Sequence, residues 1–452
     1  MHVIVADLGF GDAGKGTVVD WFCSRGPEPV DAVVRFNGGA QAAHNVVAPD
    51  GRHHTFAQFG SGTFTPGVAT HLSRFMLVDP LALAAEADHL RALNVRDALA
   101  RLTVDRDALL TTPYHRAANR AREAARGTAR HGSCGMGVGE TAAYALTHDD
   151  APRAGDCHSP ARLRRRLTAL RDWYLETFPP HAADGRSPST GEGRAPSADD
   201  RWMPSGSEER VPSVEECLEV FLAFGERVRI VGGEHLRGLL RTGTVIFEGA
   251  QGVLLDEWHG FHPYTTWSTT TFANAETLLA EAGATGTRLG VLRAYATRHG
   301  PGPFVTEDPA LTADLPDRHN GPGRWQGAFR VGHLDAVTLR YALDVAGGVN
   351  ELALTHLDVA RERDDLLLCR SYELDRRRVE RLPVGPSGDL DRQAALTRRL
   401  LAARPVYEPL GDAVTAVEEI AGAPVRLRSS GPTAADKLYD QVRGRVSSPR
   451  SM

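Results

Sequence analysis

Short apolar runs and longer amphipathic stretches alternate along most of this chain. Residues 3–5, 32–35, 75–78, 245–247, 290–294 and 351–354 are brief aliphatic or aromatic runs, of the length that buried strands take. Between them, residues 81–93 and 117–129 are rich in Ala, Arg and Glu and predict helices. Residues 161–177 predict a basic amphipathic helix, 213–230 another, and 17–22 a helix directly after the first strand and its loop. Strands alternating with helices predict an α/β fold with a mainly parallel central sheet. Residues 179–212 break the pattern, with Pro, Gly, Ser and Asp in place of aliphatic residues. Such a segment buries too little surface to offset its ordering entropy, so a disordered insertion is expected there. A frayed tail is expected from residue 437 onward. There is no internal repeat, and no apolar run approaches the roughly 18 residues of a membrane helix.

Composition narrows the picture modestly. At 452 residues the chain has room for two to three domains or one large α/β unit. A hydrophobic content of 42% with 24% charged residues suits a globular protein. A net charge of −5, with both signs mixed along the chain, argues against a nucleic-acid binder. The start, MHVIV, runs straight into a strand and is not expected to be a signal peptide. Five scattered cysteines without a C-x-x-C pair make neither a disulfide framework nor a zinc site, which points to a reducing, cytoplasmic setting and no membrane partner. The pair His53-His54 lacks a third ligand at metal spacing and reads as a solvated loop.

Three stretches carry chemistry. Residues 9–17, GFGDAGKGT, follow the first strand and satisfy G-x-x-x-x-G-K. Glycines let backbone N–H groups approach phosphate, a helix N-terminus adds partial positive charge, and Lys15 adds a full one. Two features depart from an ordinary phosphate loop: Gly16 stands where a hydroxyl residue would hold Mg²⁺, and Asp12 sits inside the loop. A carboxylate beside phosphates needs a cation between them or a proton to accept from the substrate. The second stretch, VVRFNGGAQAAHNVV at 33–47, ends a strand in small residues with one histidine, His44, a general-acid candidate. The third, IFEGAQGVLLD at 246–256, delivers Gln251 between glycines. It leads to a turn with six hydroxyl residues in seven at 265–271, suited to phosphate, sugar or amide contacts.

Together these stretches resemble the adenylosuccinate synthetase family, nearly end to end. The family's G-D-E-G-K-G appears as GDAGKG at 11–16, and its G-G-x-N-A-G-H-T-V as GGAQAAHNV at 38–46. F-E-G-A-Q-G-x-L-L-D is intact at 247–256. Y-x-T-R-x-G-x-G-P-F-x-T-E is matched by Tyr295 and residues 297–307. T-K-L-D and S-T-G-P resemble THLD at 355–358 and SSGP at 429–432. The resemblance implies one catalytic domain over residues 1–436, with a P-loop-like nucleotide-binding fold, helices on both faces of the sheet and additional subdomains. It implies a GTP-dependent ligase of purine biosynthesis, using Mg²⁺. An oxo group of a purine-type acceptor, IMP by default, is phosphorylated and then replaced by an amine, L-aspartate by default.

Carried over, Asp12 is the base and, with Ala43, a metal position; His44 is the acid; Lys15 and Gln251 complete the catalytic set. Gly11, Gly14, Lys15, Gly16, Thr17, Asp358, Ser429, Gly431 and Pro432 would bind the nucleotide. Asp358 would read the guanine. Gln41, Ser133, Cys134, Gln251, Thr266, Arg298, Arg324 and Arg330 would bind the organic substrates. A homodimer is implied as well. The departures cluster on the substrate side. G-T-T-G-R-G-I-G-P has become GSCGMGVGE at 132–140, with Cys134 for a threonine and Met136 for an arginine, and Gln41 replaces an asparagine. Asp149 stands where an arginine reaches the IMP phosphate across a dimer, which would repel that phosphate. The arginine-rich aspartate clamp is reduced to Arg324 and Arg330 within 321–335. Two readings stay open, the housekeeping pair with altered contacts or the same ligation on another acceptor or amine. A non-catalytic GTP-binding protein or a simple kinase is a third.

Overall fold

The computed structural model describes residues 2–179, 210–317 and 325–440. Ten strands form the central sheet. Numbered along the chain they are β1 His2–Asp7, β2 Ala32–Arg35, β3 Ala69–Leu72, β4 Leu102–Asp105, β5 Arg229–Val231, β6 Val245–Glu248, β7 Thr287–Arg293, β8 Glu351–Thr355, β9 Val425–Ser429 and β10 Lys437–Tyr439. Their order is β10-β9-β8-β7-β1-β6-β2-β3-β4-β5. Every neighbouring pair is parallel except β9–β10.

Side-chain alternation sends each strand's residues into two different cores. Ile4, Val34, Phe247 and Leu352 join the larger core, which helices Gly233–Thr242 and Ala273–Glu281 cover. Val3, Val5, Val33, Ile246, Leu289 and Val291 face the opposite way, against Val18, Val19 and Phe22 of helix α1, Lys15–Arg25. This is why the strands read as continuous apolar runs: both faces are covered. The predicted α/β fold is the observed one.

Four further helices wall the site or build the second lobe: α2 Pro80–Ala92, α3 Pro113–Ala125, α4 Val138–Thr147 and α5 Pro160–Thr177. Asp79 caps α2 by accepting from Ala82 N–H, and Thr112 caps α3 by accepting from His115 N–H. After the undescribed stretch, α6 Val214–Arg227 starts in a capping box of Ser213 and Glu216. Leu163, Leu167 and Leu170 of α5 pack with Val214, Leu218 and Phe221 of α6 in a core of their own.

Several expectations need correction. Of residues 75–78 only Leu77–Val78 is a strand, and it pairs with Leu109–Leu110 outside the central sheet. The central strand nearby is β3, concealed in the sequence by Thr70 and His71. Both are buried and hydrogen-bonded, His71 Nδ1 to Thr103 Oγ1 at 2.9 Å and Gly60 N–H to Thr70 Oγ1 at 3.1 Å. His53-His54 is not a solvated loop. It opens strand His53–Phe56, where His54 is fully buried and stacks on His89 with ring centroids 4.9 Å apart. The expected insertion at 179–212 lies mostly outside the described residues, but its last residues are ordered: Val211 packs on the second core, and Pro212 C=O accepts from Tyr114 OH at 3.0 Å. Of the expected tail, Lys437–Tyr439 forms β10, and residues 441–452 lie outside the described residues.

Candidate active site

The C-terminal ends of β1, β6 and β2, adjacent in the sheet, release the three stretches singled out above. A parallel sheet places its ligand crevice at such ends. The loop after β1 is shaped from beneath by Asp7. Its carboxylate, 1% exposed, accepts from the N–H groups of Gly9 (2.8 Å), Gly11 (3.3 Å) and Ala13 (3.0 Å), and from Lys15 Nζ at 3.0 Å. Sequence reasoning missed Asp7. The signal was present, an aspartate ending an otherwise apolar strand before a glycine loop.

Gly16 has a steric explanation. A Cβ at this position would lie 2.8 Å from His44 Cβ and 3.1 Å from Ser61 Oγ. The histidine loop packs directly on the first turn of α1, so a serine or threonine there would push His44 away. Asp12 crowns the loop in the left-handed region at φ 59°. Burial raises its carboxyl pKa above the usual range, while Arg293, His299 and Lys15 pull it back. Arg293 Nε donates to Asp12 C=O at 2.5 Å and its NH2 to Asp317 at 3.1 Å, tying β7 to the loop.

The other two loops are stapled together. Asn37 donates from Nδ2 to Ala250 C=O at 3.1 Å and accepts from Ala250 N–H at 2.7 Å. Leu254 N–H donates to Gly9 C=O at 3.0 Å, fixing the Gln251 loop against the phosphate loop. His44 Nδ1 lies 2.6 Å from Glu248 Oε1, and the same carboxylate accepts from Ser61 N–H at 2.9 Å and from Ser61 Oγ. Burial pulls the His44 pKa down to about 4, against the pull of Glu248. Burial would raise Glu248, but the Arg35 charge and the His44 and Ser61 bonds outweigh it and hold the carboxyl at about 2. The pair is therefore a carboxylate and a neutral imidazole. Glu248 occupies Nδ1, which leaves Nε2 as the ring atom for the cavity. Its importance was not read from the sequence, although it sits inside a quoted motif.

These groups line one cavity of about 770 Å³. Every predicted site residue among the described ones lines it, with the single exception of Arg330: Gly11, Asp12, Gly14, Lys15, Gly16, Thr17, Gln41, Ala43, His44, Ser133, Cys134, Gln251, Thr266, Arg298, Asp358, Ser429, Gly431 and Pro432. One end is closed by Asp358, Ser429 and Pro432, with Thr17 Oγ1 donating to Pro432 C=O at 2.9 Å. Asp358 Oδ1 is buried there without a hydrogen-bond partner. The opposite arm runs from Gln41 and Gln251 to α3 and α4.

Three expectations shift. Arg330 is a scaffold residue: its guanidinium donates to Gly300 C=O, Gly302 C=O and the Glu307 carboxylate, which holds the 300–302 turn. Arg298 lines the cavity but is 1% exposed and donates to the carbonyls of Pro301, Pro303 and Tyr264. Asp149 is exposed in the turn that follows α4, outside the cavity lining. Arg324 is outside the described residues.

The family model described as adenylosuccinate synthetase matches residues 4–437. Adenylosuccinate synthetase 2 of Chromobacterium violaceum is 31% identical over 472 residues, covering 97% of both chains. The adenylosuccinate synthetase of Nostoc punctiforme is 32% identical over 421 residues, covering 90% of this chain and 83% of its own. Among solved structures, the fully ligated adenylosuccinate synthetase from Plasmodium falciparum superposes with a TM-score of 0.76 at 20% identity, over 97% of this chain and 99% of that one. The succinoaminodeoxyadenylate synthetase of cyanophage S-2L, bound to dGMP and dATP, gives 0.59 at 18% identity, over 97% and 95%. At these identities the two structures speak for the fold alone.

Proposed function

The chain belongs to the adenylosuccinate synthetase family of GTP-dependent C–N ligases, and from that premise we propose a residue-level mechanism for its cavity. GTP lies with its phosphates over the loop at 11–17 and its guanine against Asp358, whose orphaned Oδ1 would accept from the base's N–H groups. The acceptor lies in the opposite arm. Asp12 removes the lactam N–H proton, which turns a poor nucleophile into an oxyanion. That oxygen bonds to the γ-phosphorus, the bond from phosphorus to the β,γ-bridging oxygen breaks, and GDP leaves. The amine nitrogen then bonds to the activated carbon, the C–O bond breaks, phosphate departs carrying the former oxo oxygen, and the nitrogen gives up one proton to water.

His44 acts at the phosphoryl group. It is neutral before substrate arrives, and an adjacent phosphoryl dianion favours its protonated form, with Glu248 steadying the ring as a positioning residue. Lys15 is held by Asp7 before nucleotide binds and lines the cavity beside the loop. Mg²⁺ fits the donors present. Asp12 offers a half-buried carboxyl, raised by desolvation and joined to no cation in an ion pair among the described residues, and Ala43 also lines the cavity. When bound, the ion would offset charge on the transferring phosphoryl group. The family resemblance supports a cytoplasmic homodimer acting in purine biosynthesis, with IMP and L-aspartate as the family's own pair.

The observation that carries this reading is the convergence of Asp12, Lys15, His44 and Gln251 on one wall of the cavity. The test is phosphate release from GTP by the full-length protein. A ligase releases phosphate only when acceptor and amine are both supplied. Conversion of GTP to GDP with acceptor alone, the phosphoryl group staying on the acceptor, would make it a kinase, and nucleotide binding without any turnover would make it a binding protein.

A further inference from the structure

The acceptor arm differs in charge and texture from the phosphate loop, and the difference bears on what it admits. Its wall is the glycine-rich turn at 132–139 leading into α4, a shape that elsewhere cradles anions. Here the first turn of α4 carries an anion of its own. Glu140, in the first turn of α4 and 6% exposed, is gripped by Arg122 through Nε at 2.7 Å and NH2 at 3.1 Å. The neighbouring cation, Arg126, is held by the fully buried Glu123, which also accepts from Gly132 N–H at 3.2 Å. Two further amides of the turn are already engaged, Gly135 N–H by Ser133 Oγ at 3.3 Å and Gly137 N–H by Asn119 Oδ1 of α3 at 3.1 Å. The two arginines and two glutamates cancel.

Beside the hydroxyls of Ser133, Thr265 and Thr266 and the His131 ring, the wall adds apolar, aromatic and amide surface. Ala40, Ala82 and Met136 form a small buried cluster with Cys134 packed on it. Indoles pack against the turn, Trp325 on Gly135 and Trp267 on Gly139. A Cβ on either glycine would come within 3.0 Å of the indole Cδ1. At the inner end, Gln41 Nε2 and Oε1 and Gln251 Oε1 are buried without hydrogen-bond partners. A carboxamide with unmet donor and acceptor atoms complements the N–H and C=O edge of a lactam.

We propose that the acceptor arm is built for a flat, uncharged oxo-heterocycle that carries no phosphate group, and that Glu140 is the residue that enforces this. The inference rests on the ligase reading above and specifies its acceptor. A phosphate entering this arm would meet a buried carboxylate at the helix start and would have to take Arg122 from it, leaving Glu140 buried and unpaired. A nucleoside or free base meets neither obstacle.

The test is calorimetric titration of the full-length protein, with GDP and Mg²⁺ present, using hypoxanthine, inosine and inosine 5′-monophosphate as probes. The uncharged probe that binds better should do so at least about tenfold more tightly than the monophosphate. Glu140→Gln should narrow that gap by strengthening the monophosphate alone. Monophosphate binding equal to or tighter than the nucleoside, no binding by either uncharged probe, or an unchanged gap in a folded Glu140→Gln protein overturns the proposal. If the variant does not fold, the wild-type comparison decides by itself. GDP binding in the same cell separates this failure from failure of the ligase reading, in which nucleotide would not bind or GTP cleavage would ignore acceptor and amine.

Discussion

At the scale of single residues, two oddities of the phosphate loop have physical causes. Asp12 was legible from its residue type as a group needing a cation or a proton beside phosphates, and its role as base came from the family resemblance. Gly16 was legible only as an absence; its cause is a neighbour 28 residues away in the chain, His44, whose Cβ leaves no room for another. Gly16→Ala should therefore displace His44 from Glu248 and lower kcat/KM by about tenfold to a hundredfold, the usual cost of a misplaced catalytic group. Steady-state kinetics on a variant with unchanged circular dichroism would check this; unchanged kcat/KM would mean the contact is soft. Glu248 and Asp7 escaped the sequence reading for a shared reason. Each acts on a catalytic side chain rather than on substrate, and such a role is visible only once partners distant in sequence are brought together.

Among the elements, the strands of the sheet centre were the most legible, because burial on both faces writes them as unbroken apolar runs. β2 was read to its ends, and β6 and β8 to within a residue. β3 was missed because its two polar residues satisfy each other's neighbours inside the sheet, which periodicity cannot report. Helix existence was clear, but helix starts were set by capping residues. Residues 117–129 predicted a helix that in fact begins at Pro113, after the Thr112 cap. The substrate loops were the least legible. Arg298 and Arg330 were carried into the pocket by motif position, yet their guanidinium groups are committed to backbone carbonyls. An arginine beside consecutive glycines and prolines is as useful for holding a turn as for binding a carboxylate, and the sequence does not distinguish the two.

For the whole molecule, the fold stores several histidines in their neutral form. Burial lowers His44 to about 4, and His71 and His115 each to about 3. In the unfolded chain such groups titrate near 6.5, so below that pH the unfolded state binds more protons. Their contribution to stability is complete above pH ~6.5 and is lost as pH falls toward 4 and 3. Asp20, raised to about 7 by burial, works in the opposite sense, as do Asp12, Asp105, Glu257 and Asp335. His2, His131, His235, His262, His333 and His356 are lowered by burial and act with the first three. The melting temperature should fall between pH 7 and pH 5 in scanning calorimetry; a flat or rising trend would contradict the neutral assignment. The central claim concerns chemistry at the cavity as a unit, that the acceptor's oxygen is phosphorylated by GTP and then leaves as part of phosphate. The most direct measurement uses an acceptor labelled with ¹⁸O in its oxo group, with GTP and amine, and mass analysis of the phosphate released. The account predicts one ¹⁸O atom in each phosphate formed with product. Phosphate free of the label, with the oxygen retained by the acceptor or only solvent oxygen incorporated, would contradict it.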